Sequence, residues 1–247
     1  PATLIEADLT HLDVNNLPEK IYRTLLSCDC LIARSEFDLL LAAKLREAFN
    51  IAGETSVDVL PIRDKFIMRR LAQKHKIRQP EFWSLPQFQN NTAAIDKYVL
   101  KPRLDASSNG VLIGNRQEII NSTEKITRPE QWLIEAYIPG EIYHIDGFIE
   151  QGFIKTMQTS KYINTCLNYA SGAPLGSAQI PEPSWAKSFT EKITQALRYA
   201  NGSLHLEVIV DQNGQPYFLE FAGRVGGSYV VETFELKTGI NLHQCDL

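Results

Sequence analysis

The stretch Ser203-Leu204-His205-Leu206-Glu207-Val208-Ile209-Val210-Asp211-Gln212-Asn213-Gly214-Gln215-Pro216-Tyr217-Phe218-Leu219-Glu220-Phe221-Ala222 sets two apolar-rich runs on either side of Asn213-Gly214. Asn-Gly between such runs is a strong two-residue hairpin signal, because both residues tolerate the left-handed backbone that a type I′ turn demands. With those two residues as the turn, Gln212 faces Gln215, Val210 faces Tyr217, and Glu207 faces Glu220. Alternation of side chains then puts His205, Glu207, Glu220 and Ala222 on one face, with Arg224 joining them if the strand runs on.

Two carboxylates opposed on paired strands, with Cβ atoms about 5 Å apart, repel each other and weaken a bare hairpin. Two readings stand. The pair lies on a solvated face or has one member paired with Arg224, or a cation sits between the two. The flanking Leu, Val, Ile and Phe argue against full exposure. An all-oxygen donor set suits a hard divalent cation, and Mg²⁺ that also touches phosphates fits that chemistry.

Other charged residues stand in apolar surroundings. Lys101 lies in the strand Tyr98-Val99-Leu100-Lys101-Pro102, just before the link Arg103-Leu104-Asp105-Ala106-Ser107-Ser108-Asn109 and the strand 110–114. A lysine in a strand is ordinarily solvent-facing, but a polar turn beside it can cradle phosphate oxygens. Lys65 opens a helix after Arg63-Asp64. Glu135, in the strand 132–138, reads either as a salt-bridged edge residue or as an acceptor for an exocyclic amine. His144 and Asp146 alternate onto one face of the strand 142–149, after the Pro139-Gly140 turn. No nucleophile completes a triad with them.

The first sixty residues read as strand, helix, strand, helix, which suggests part of a parallel sheet. Leu4-Ile5 and Leu31-Ile32-Ala33 are the strands, 17–26 and 37–49 the helices, and 53–61 a break. A helix over 63–76 follows, then a polar loop over 84–97. Residues 159–183 show no period, and loops of that length are usually functional. A helix over 185–200 carries Phe189, Ile193, Ala196 and Leu197 on one face.

At 247 residues, with 44% hydrophobic and 22% charged, the chain is long and apolar enough for a sizeable core and is not a disordered segment. Lys+Arg 25 against Asp+Glu 29 gives a net charge of −4, so overall charge offers no pull toward nucleic acid or an anionic membrane. No apolar run approaches the ~20 residues that span a bilayer, and a cytoplasmic location is the expectation. Cys28, Cys30, Cys166 and Cys245 supply a single C-x-C and no second cluster, which points to reduced cysteines rather than a zinc site. Pro1 stands where a start methionine would, and the chain reads as a processed or cut one.

The order of these motifs resembles the ATP-grasp superfamily of ATP-dependent carboxylate–amine ligases, in the branch containing L-amino-acid ligases and biotin-carboxylase-like enzymes. The resemblance runs from Ala33-Arg34-Ser35-Glu36 through Arg63-Asp64-Lys65, Val99-Leu100-Lys101-Pro102, Glu135-Ala136-Tyr137-Ile138 and Tyr143-His144-Ile145-Asp146-Gly147. It ends in His205-x-Glu207, Leu219-Glu220-Phe221-Ala222-Gly223-Arg224 and Gly226-Gly227. It implies an α/β (α+β) ATP-grasp fold: a partial Rossmann-like pre-ATP-grasp domain over 1–60, and the ATP-grasp domain over 61–247. Within the latter, 85–137 would form the small lid and 138–247 the larger metal-binding part, truncated at its C-terminus.

The resemblance also implies roles. Lys65 and Lys101 would hold ATP phosphates under a flap carrying Ser107, Ser108 and Gly110. Glu135 would accept the adenine amine while the backbone at Tyr137 and Ile138 reads the ring. Glu141 would stand in for a ribose-binding acid whose usual position is Ile142. His144 and Lys161 would complete the nucleotide site, Lys161 toward the γ-phosphate. Glu207 and Glu220 would bind Mg²⁺, with Mn²⁺ as the alternative, and Arg224 would orient the substrate carboxylate. Ala222 stands where many relatives have an Asn ligand. The expected reaction is ADP-forming synthesis of an amide, peptide-like bond through an acyl phosphate, on small-molecule carboxylate and amine substrates that are amino acids, set against ATP-dependent carboxylation and a non-catalytic ATP-binding module. No nucleic-acid or membrane partner is expected, and a homodimer is the assembly considered.

Overall fold

A computed structural model of the protein describes residues 6–9, 12–90, 95–106, 108–164, 168–169 and 172–246. The chain divides into two compact units, Pro1–Leu60 and Pro61–Leu247. The strand expected at Leu4-Ile5, and Ser107 and Cys166, lie outside the described residues. No helix among the described residues is long and apolar enough to cross a membrane.

In the first unit, α1 (Glu19–Leu26) and α2 (Leu39–Phe49) close a small core of Leu25, Leu45 and Ile51. Asn50 ends α2 in the left-handed conformation at φ 54°, a helix stop that an Asn side chain tolerates. The strand expected at Leu31–Ala33 does not form, and a single parallel bridge, Cys30 to Ala52, takes its place. The cause is Arg46: its guanidinium donates to the Leu31 carbonyl at 3.0 and 2.7 Å and to the Glu54 carbonyl at 3.1 Å, occupying the groups a strand would pair. The break expected over 53–61 is instead the start of α3 (Ser56–Arg63). Asp58 reaches back to the Thr55 N–H at 2.9 Å and its hydroxyl at 2.7 Å, a capping arrangement strong enough to start a helix that contains Pro61.

The second unit is built on two antiparallel sheets. The smaller has the order β1-β4-β2-β3, from Phe82–Ser84, Trp132–Ala136, Tyr98–Pro102 and Leu112–Gly114. Helices α5 (Leu85–Gln89) and α6 (Arg116–Thr123) close its core around Phe88, Tyr98, Leu100 and Ile134. Part of the loop expected over 84–97 is therefore ordered, because Ser84 and Gln87 form a capping box that starts α5.

The larger sheet runs β7-β6-β5-β8-β9, from Ser177–Gln179, Phe153–Tyr162, Glu141–Glu150, Gly202–Val210 and Pro216–Ala222. Helices α4 (Lys65–Lys74) and α7 (Ala186–Leu197) cover one face, where Met68, Ala72, Ile193 and Leu197 pack on Ile145, Leu204, Leu206, Val208, Phe218 and Phe221. The opposite side of these strands carries His144, Asp146, His205, Glu207 and Glu220. Beyond them α8 (Val230–Thr238) and α9 (Leu242–Cys245) pack on Phe148 through Phe234 and Leu242.

The β8–β9 hairpin differs from the expected one in two places. Asp211 rather than Gln212 meets Gln215, the Gly214 N–H bonds the Asp211 carbonyl at 2.9 Å, and Val210 pairs with Pro216 instead of Tyr217. The loop therefore holds three residues, with only Gly214 at positive φ (73°), whereas a type I′ turn needs both central residues left-handed. Asp211 selects this form by accepting from the N–H groups of Asn213 and Gln215 at 2.9 and 2.8 Å. A bulge between Glu207 and Val208 then restores the lost residue: Val208 faces Phe218, Leu219 is the extra residue, and Glu207 faces Glu220 as expected.

Candidate active site

A cleft of about 330 Å³ lies between the two sheets of the second unit, and Lys65, Lys101, Glu135, Glu207 and Glu220 all reach its wall. Lys65 opens α4, whose first turn is capped by Asp64 through the N–H groups of Phe66 and Ile67 at 2.9 and 3.1 Å. Arg103 holds the same carboxylate at 3.0 and 2.6 Å, and the Lys65 N–H bonds the Arg103 carbonyl, so the link after β2 is fastened to the start of the helix. The Lys65 ammonium meets Glu220 Oε1 at 2.7 Å and also donates to the Asp105 carbonyl.

Lys101 is buried on β2 and bonds Glu135 Oε2 at 2.8 Å. The other oxygen of Glu135 accepts from Arg69 Nε at 2.6 Å. Burial alone would raise the Glu135 carboxyl, but Arg69 and Lys101 outweigh it and hold its pKa at about 2. Burial pushes the Lys101 ammonium down, against the pull of Glu135. The carboxylate is thus the counter-ion of two buried cations, and it also reaches the cleft wall, where the adenine-amine role is expected of it. In the adjoining segment Tyr137 and Ile138 line the cleft, while the Ala136 and Tyr137 N–H groups are held by the carbonyls of Glu81 and Lys97.

The described residues of the link 103–110, all but position 107, border this region. Ser108 and Gly110 are both left-handed, at φ 57° and 69°, and Asp105 bonds the Ala106 N–H at 2.9 Å and the Asn109 amide at 2.8 Å. Ser108 lines the cleft, as do Asp105 and Asn109; Gly110 is absent from its wall and packs toward Pro102. Ser107 is not among the described residues.

Three expected nucleotide contacts lie elsewhere. Glu141 and Lys161 bond each other at 2.6 Å on the exposed ends of β5 and β6, and their neighbours Ile142 and Tyr162 line the cleft instead. His144 is buried behind the wall. Its Nδ1 lies 2.6 Å from Asp146 Oδ2, and His205 Nδ1 lies 2.7 Å from Asp146 Oδ1. Register explains the cluster, since antiparallel β5 and β8 set His144 beside Glu207 and Asp146 beside His205. These three groups are close enough to hold a metal ion. Their facing atoms already satisfy one another as a charge network. Burial opposes the charge on His205, but Asp146 and Glu207 raise its pKa to about 10, so it is an imidazolium. Asp146 is correspondingly held far below the usual carboxylate range despite its burial.

Glu207 accepts from the Tyr162 hydroxyl at 3.0 Å, with His205 Nε2 at 3.7 Å, and these partners overcome burial to keep its carboxyl low. Glu207 and Glu220 are thus opposed carboxylates at the cleft, Glu207 held by Tyr162 and His205 and Glu220 by Lys65. Such a pair offers hard oxygen donors to a divalent cation. Arg224, in the segment after β9, is half-buried and donates to the Val225 carbonyl at 2.7 Å; it is not part of the cleft wall. Gly226 rests its backbone on the Asp146–His205 pair, where a Cβ would come within 2.6 Å of Asp146 Oδ1. Arg69 and Tyr162 were not singled out by the sequence. The signal for Arg69 was its spacing of one helical turn from Lys65.

Residues 96–232, more than half of the chain, match the model of the ATP-grasp domain. The chain belongs to the ATP-grasp family. This ATP-grasp chain is 25% identical over 234 residues to an L-arginine-specific L-amino acid ligase of Bacillus subtilis, covering 89% of the chain and 57% of that protein. It superposes on the crystal structure of an L-amino acid ligase from Bacillus licheniformis with a TM-score of 0.77 and 23% identity, covering 92% of the chain and 57% of that one. A D-alanine–D-alanine ligase from Bacillus anthracis, complexed with ATP, gives a TM-score of 0.61 at 18% identity, over 83% of the chain and 72% of that one. The chain spans a little over half the length of the two L-amino acid ligases, and the ATP-grasp fold expected from its motifs is the fold it has.

Proposed function

We propose that the cleft binds ATP together with a divalent cation, and that the protein joins a carboxylate to an amine with release of ADP and phosphate. The observation that carries this reading is the convergence of two ammonium groups, Lys65 and Lys101, and two opposed carboxylates, Glu207 and Glu220, on one cleft between two sheets. Family membership and the likeness to L-amino acid ligases favour amino acids as both substrates.

Lys65 and Lys101 bind phosphate oxygens, and Glu207 and Glu220 hold Mg²⁺ or Mn²⁺. The metal supplies charge neutralisation to the transferring phosphoryl, where catalysis of this kind gains most. Because Lys65 is bonded to Glu220, opening that pair releases a cation for phosphate and a carboxylate for metal together. Nucleotide and metal are therefore expected to favour each other's binding.

A substrate carboxylate oxygen attacks the γ-phosphorus as the bond to the ADP oxygen breaks, giving an acyl phosphate. The amine nitrogen then attacks the acyl carbon, phosphate leaves, and the amine proton passes to solvent. Arg224 orients the substrate carboxylate with its planar fork. No protein nucleophile is required.

The test is ADP release by the full-length protein with MgATP and amino acids singly and in pairs, with bicarbonate as a separate arm and products weighed by mass spectrometry. ADP formed only with particular amino acids, beside a product one water lighter than the pair, is the expected result. Turnover with bicarbonate alone would replace the reading by carboxylation, and nucleotide binding without turnover in any arm would replace it by a binding module.

A further inference from the structure

We propose that Arg69 is a positioning residue which sets two parts of this site at once: the Lys101 ammonium, through Glu135, and the Glu220 carboxylate, through the bulge at Leu219. The inference rests on the reading of the cleft as an ATP and metal site. Arg69 is 1% exposed and projects from α4 into the space between the sheets. All three of its nitrogens are bonded: Nε to Glu135 Oε1 at 2.6 Å, Nη1 to the Phe218 carbonyl at 3.0 Å, and Nη2 to the Leu219 carbonyl at 2.7 Å. Its guanidinium also lies 5.2 Å from the centre of the Phe218 ring.

The two carbonyls are consecutive and belong to the bulge. β9 is the edge of its sheet, so among the described residues no further strand accepts or donates on its outer side. A buried carbonyl without a donor there is costly, and the extra residue of a bulge adds to that cost. Arg69 supplies both donors from one planar fork, and the next link outward is the Phe218 N–H bonded to the Arg78 carbonyl at 2.9 Å.

The bulge has a chemical consequence. The pairs nearer the turn, Val208 with Phe218 and Ile209 with Tyr217, would bring Leu219 opposite Glu207 if the strand continued without it. Slippage by one residue turns every side chain to the other face, so Glu220 would point away from the cleft. It is the bulge that puts Phe218 and Phe221 both into the core and Glu220 beside Glu207. On the other limb, Glu135 shares its two oxygens between Arg69 and Lys101, so the guanidinium fixes the carboxylate that fixes the ammonium.

Nucleotide affinity separates the limbs. Binding of ATP is measured by titration calorimetry in EDTA and again with Mn²⁺, for the wild type, Arg69→Lys and Glu135→Gln, with thermal midpoints confirming folding. The ratio of the two affinities is the gain from metal. Arg69→Lys keeps a cation at Glu135 but cannot hold two carbonyls, so affinity in EDTA stays within about threefold while the metal gain falls about tenfold or more. Glu135→Gln leaves the fork on the bulge, so the metal gain stays within about threefold while affinity in EDTA falls about tenfold.

An undiminished metal gain in Arg69→Lys, whatever its affinity in EDTA, would overturn the inference, because the bulge would then place Glu220 without the fork. If Arg69→Lys does not fold, Glu135→Gln decides alone, because loss of the metal gain in that variant means the bulge does not depend on Arg69 independently of its counter-ion. A wild-type protein that binds no ATP under either condition would overturn the reading of the cleft itself, and this inference with it.

Discussion

Replacing Glu135 by Gln should cost the protein about as much as its depressed pKa implies, and the cost should fade in acid. The carboxylate is 2% exposed and neutralises Arg69 at 2.6 Å and Lys101 at 2.8 Å. An amide there has one acceptor oxygen, and its NH₂ would confront one of two donor cations. The folded-state pKa of about 2, against an ordinary 4.5, is a depression. A depressed carboxyl contributes stability that is present above pH 4.5 and is lost as pH falls toward 2. At about 1.4 kcal/mol per unit, the full contribution at neutral pH is about 3 kcal/mol, within the ~3–5 kcal/mol typical of breaking a buried pair. Urea unfolding of wild type and Glu135→Gln at a series of pH values measures it. The gap between the two proteins should be about 3 kcal/mol near pH 7 and should shrink to about half of that near pH 3, because there the unfolded wild-type carboxyl takes up a proton that the folded one still resists, and the variant has none to bind. A gap that stays constant over this range would show that Glu135 acts through packing and not through charge, and the account of the triad would fall.

Other perturbations reach different parts of the site. Glu220→Gln removes a metal donor and the partner of Lys65, a pair whose carboxylate side chain is 24% exposed, so stability should change by only about 1 kcal/mol while Mg²⁺-dependent ADP formation is lost. ADP formation at the wild-type rate would remove Glu220 from the metal site. Gly140→Ala places a Cβ within 2.5 Å of the Val210 carbonyl and 2.7 Å of Ile209 Cγ2, and should destabilise by about 1–3 kcal/mol in a denaturation series while raising the KM for ATP. An unchanged midpoint would mean the turn relaxes freely. Arg224→Ala should retain ATP affinity within about twofold by calorimetry while ligation is lost, as expected of a group that binds the carboxylate substrate; parallel loss of both would place Arg224 on the nucleotide.

The larger sheet was legible where hydrophobic alternation was strong, and β8 with β9 is the instructive case. The two-residue turn was wrong because Asp211 offers its side chain to the loop N–H groups and draws the turn into a three-residue form. Glu207 nevertheless faces Glu220, because the residue gained in the loop is offset by the unpaired Leu219. Neither departure has a local hydrophobic signature, since the bulge is held by Arg69, from a helix far away in sequence. The strand β6 (Phe153–Tyr162) escaped notice for a similar reason: its mixture of Lys, Thr, Gln and Ser has no clean period, and it becomes a strand by pairing with β5 along nearly its whole length. In the first unit the apolar run at Leu31–Ala33 looked like a strand and is not one, because Arg46 takes the Leu31 carbonyl.

In the candidate site, residue types were legible and partners were not. An acid inside an apolar strand announces that something positive lies near it, and Glu135 reads either as a salt-bridged residue or as an acceptor for a ligand's amine. Its counter-ions come from the protein: Arg69 from α4, separated by 66 residues, and Lys101 from the neighbouring strand. The same holds for His144, whose alternation with Asp146 was visible but whose neighbour His205 arrives only through the β5–β8 register. A buried charge must be balanced whether or not a ligand is bound. Charged residues of a binding site in the folded chain therefore fall into those balanced by one another and those that a ligand can recruit. Lys65 and Glu220 belong to the second kind, since the Glu220 side chain is 24% exposed, whereas Glu135, buried at the cleft wall, and Asp146, buried behind it, belong to the first. Sequence spacing cannot separate these two kinds, because the distinction is made by which strand lies beside which and by how much water reaches the pair.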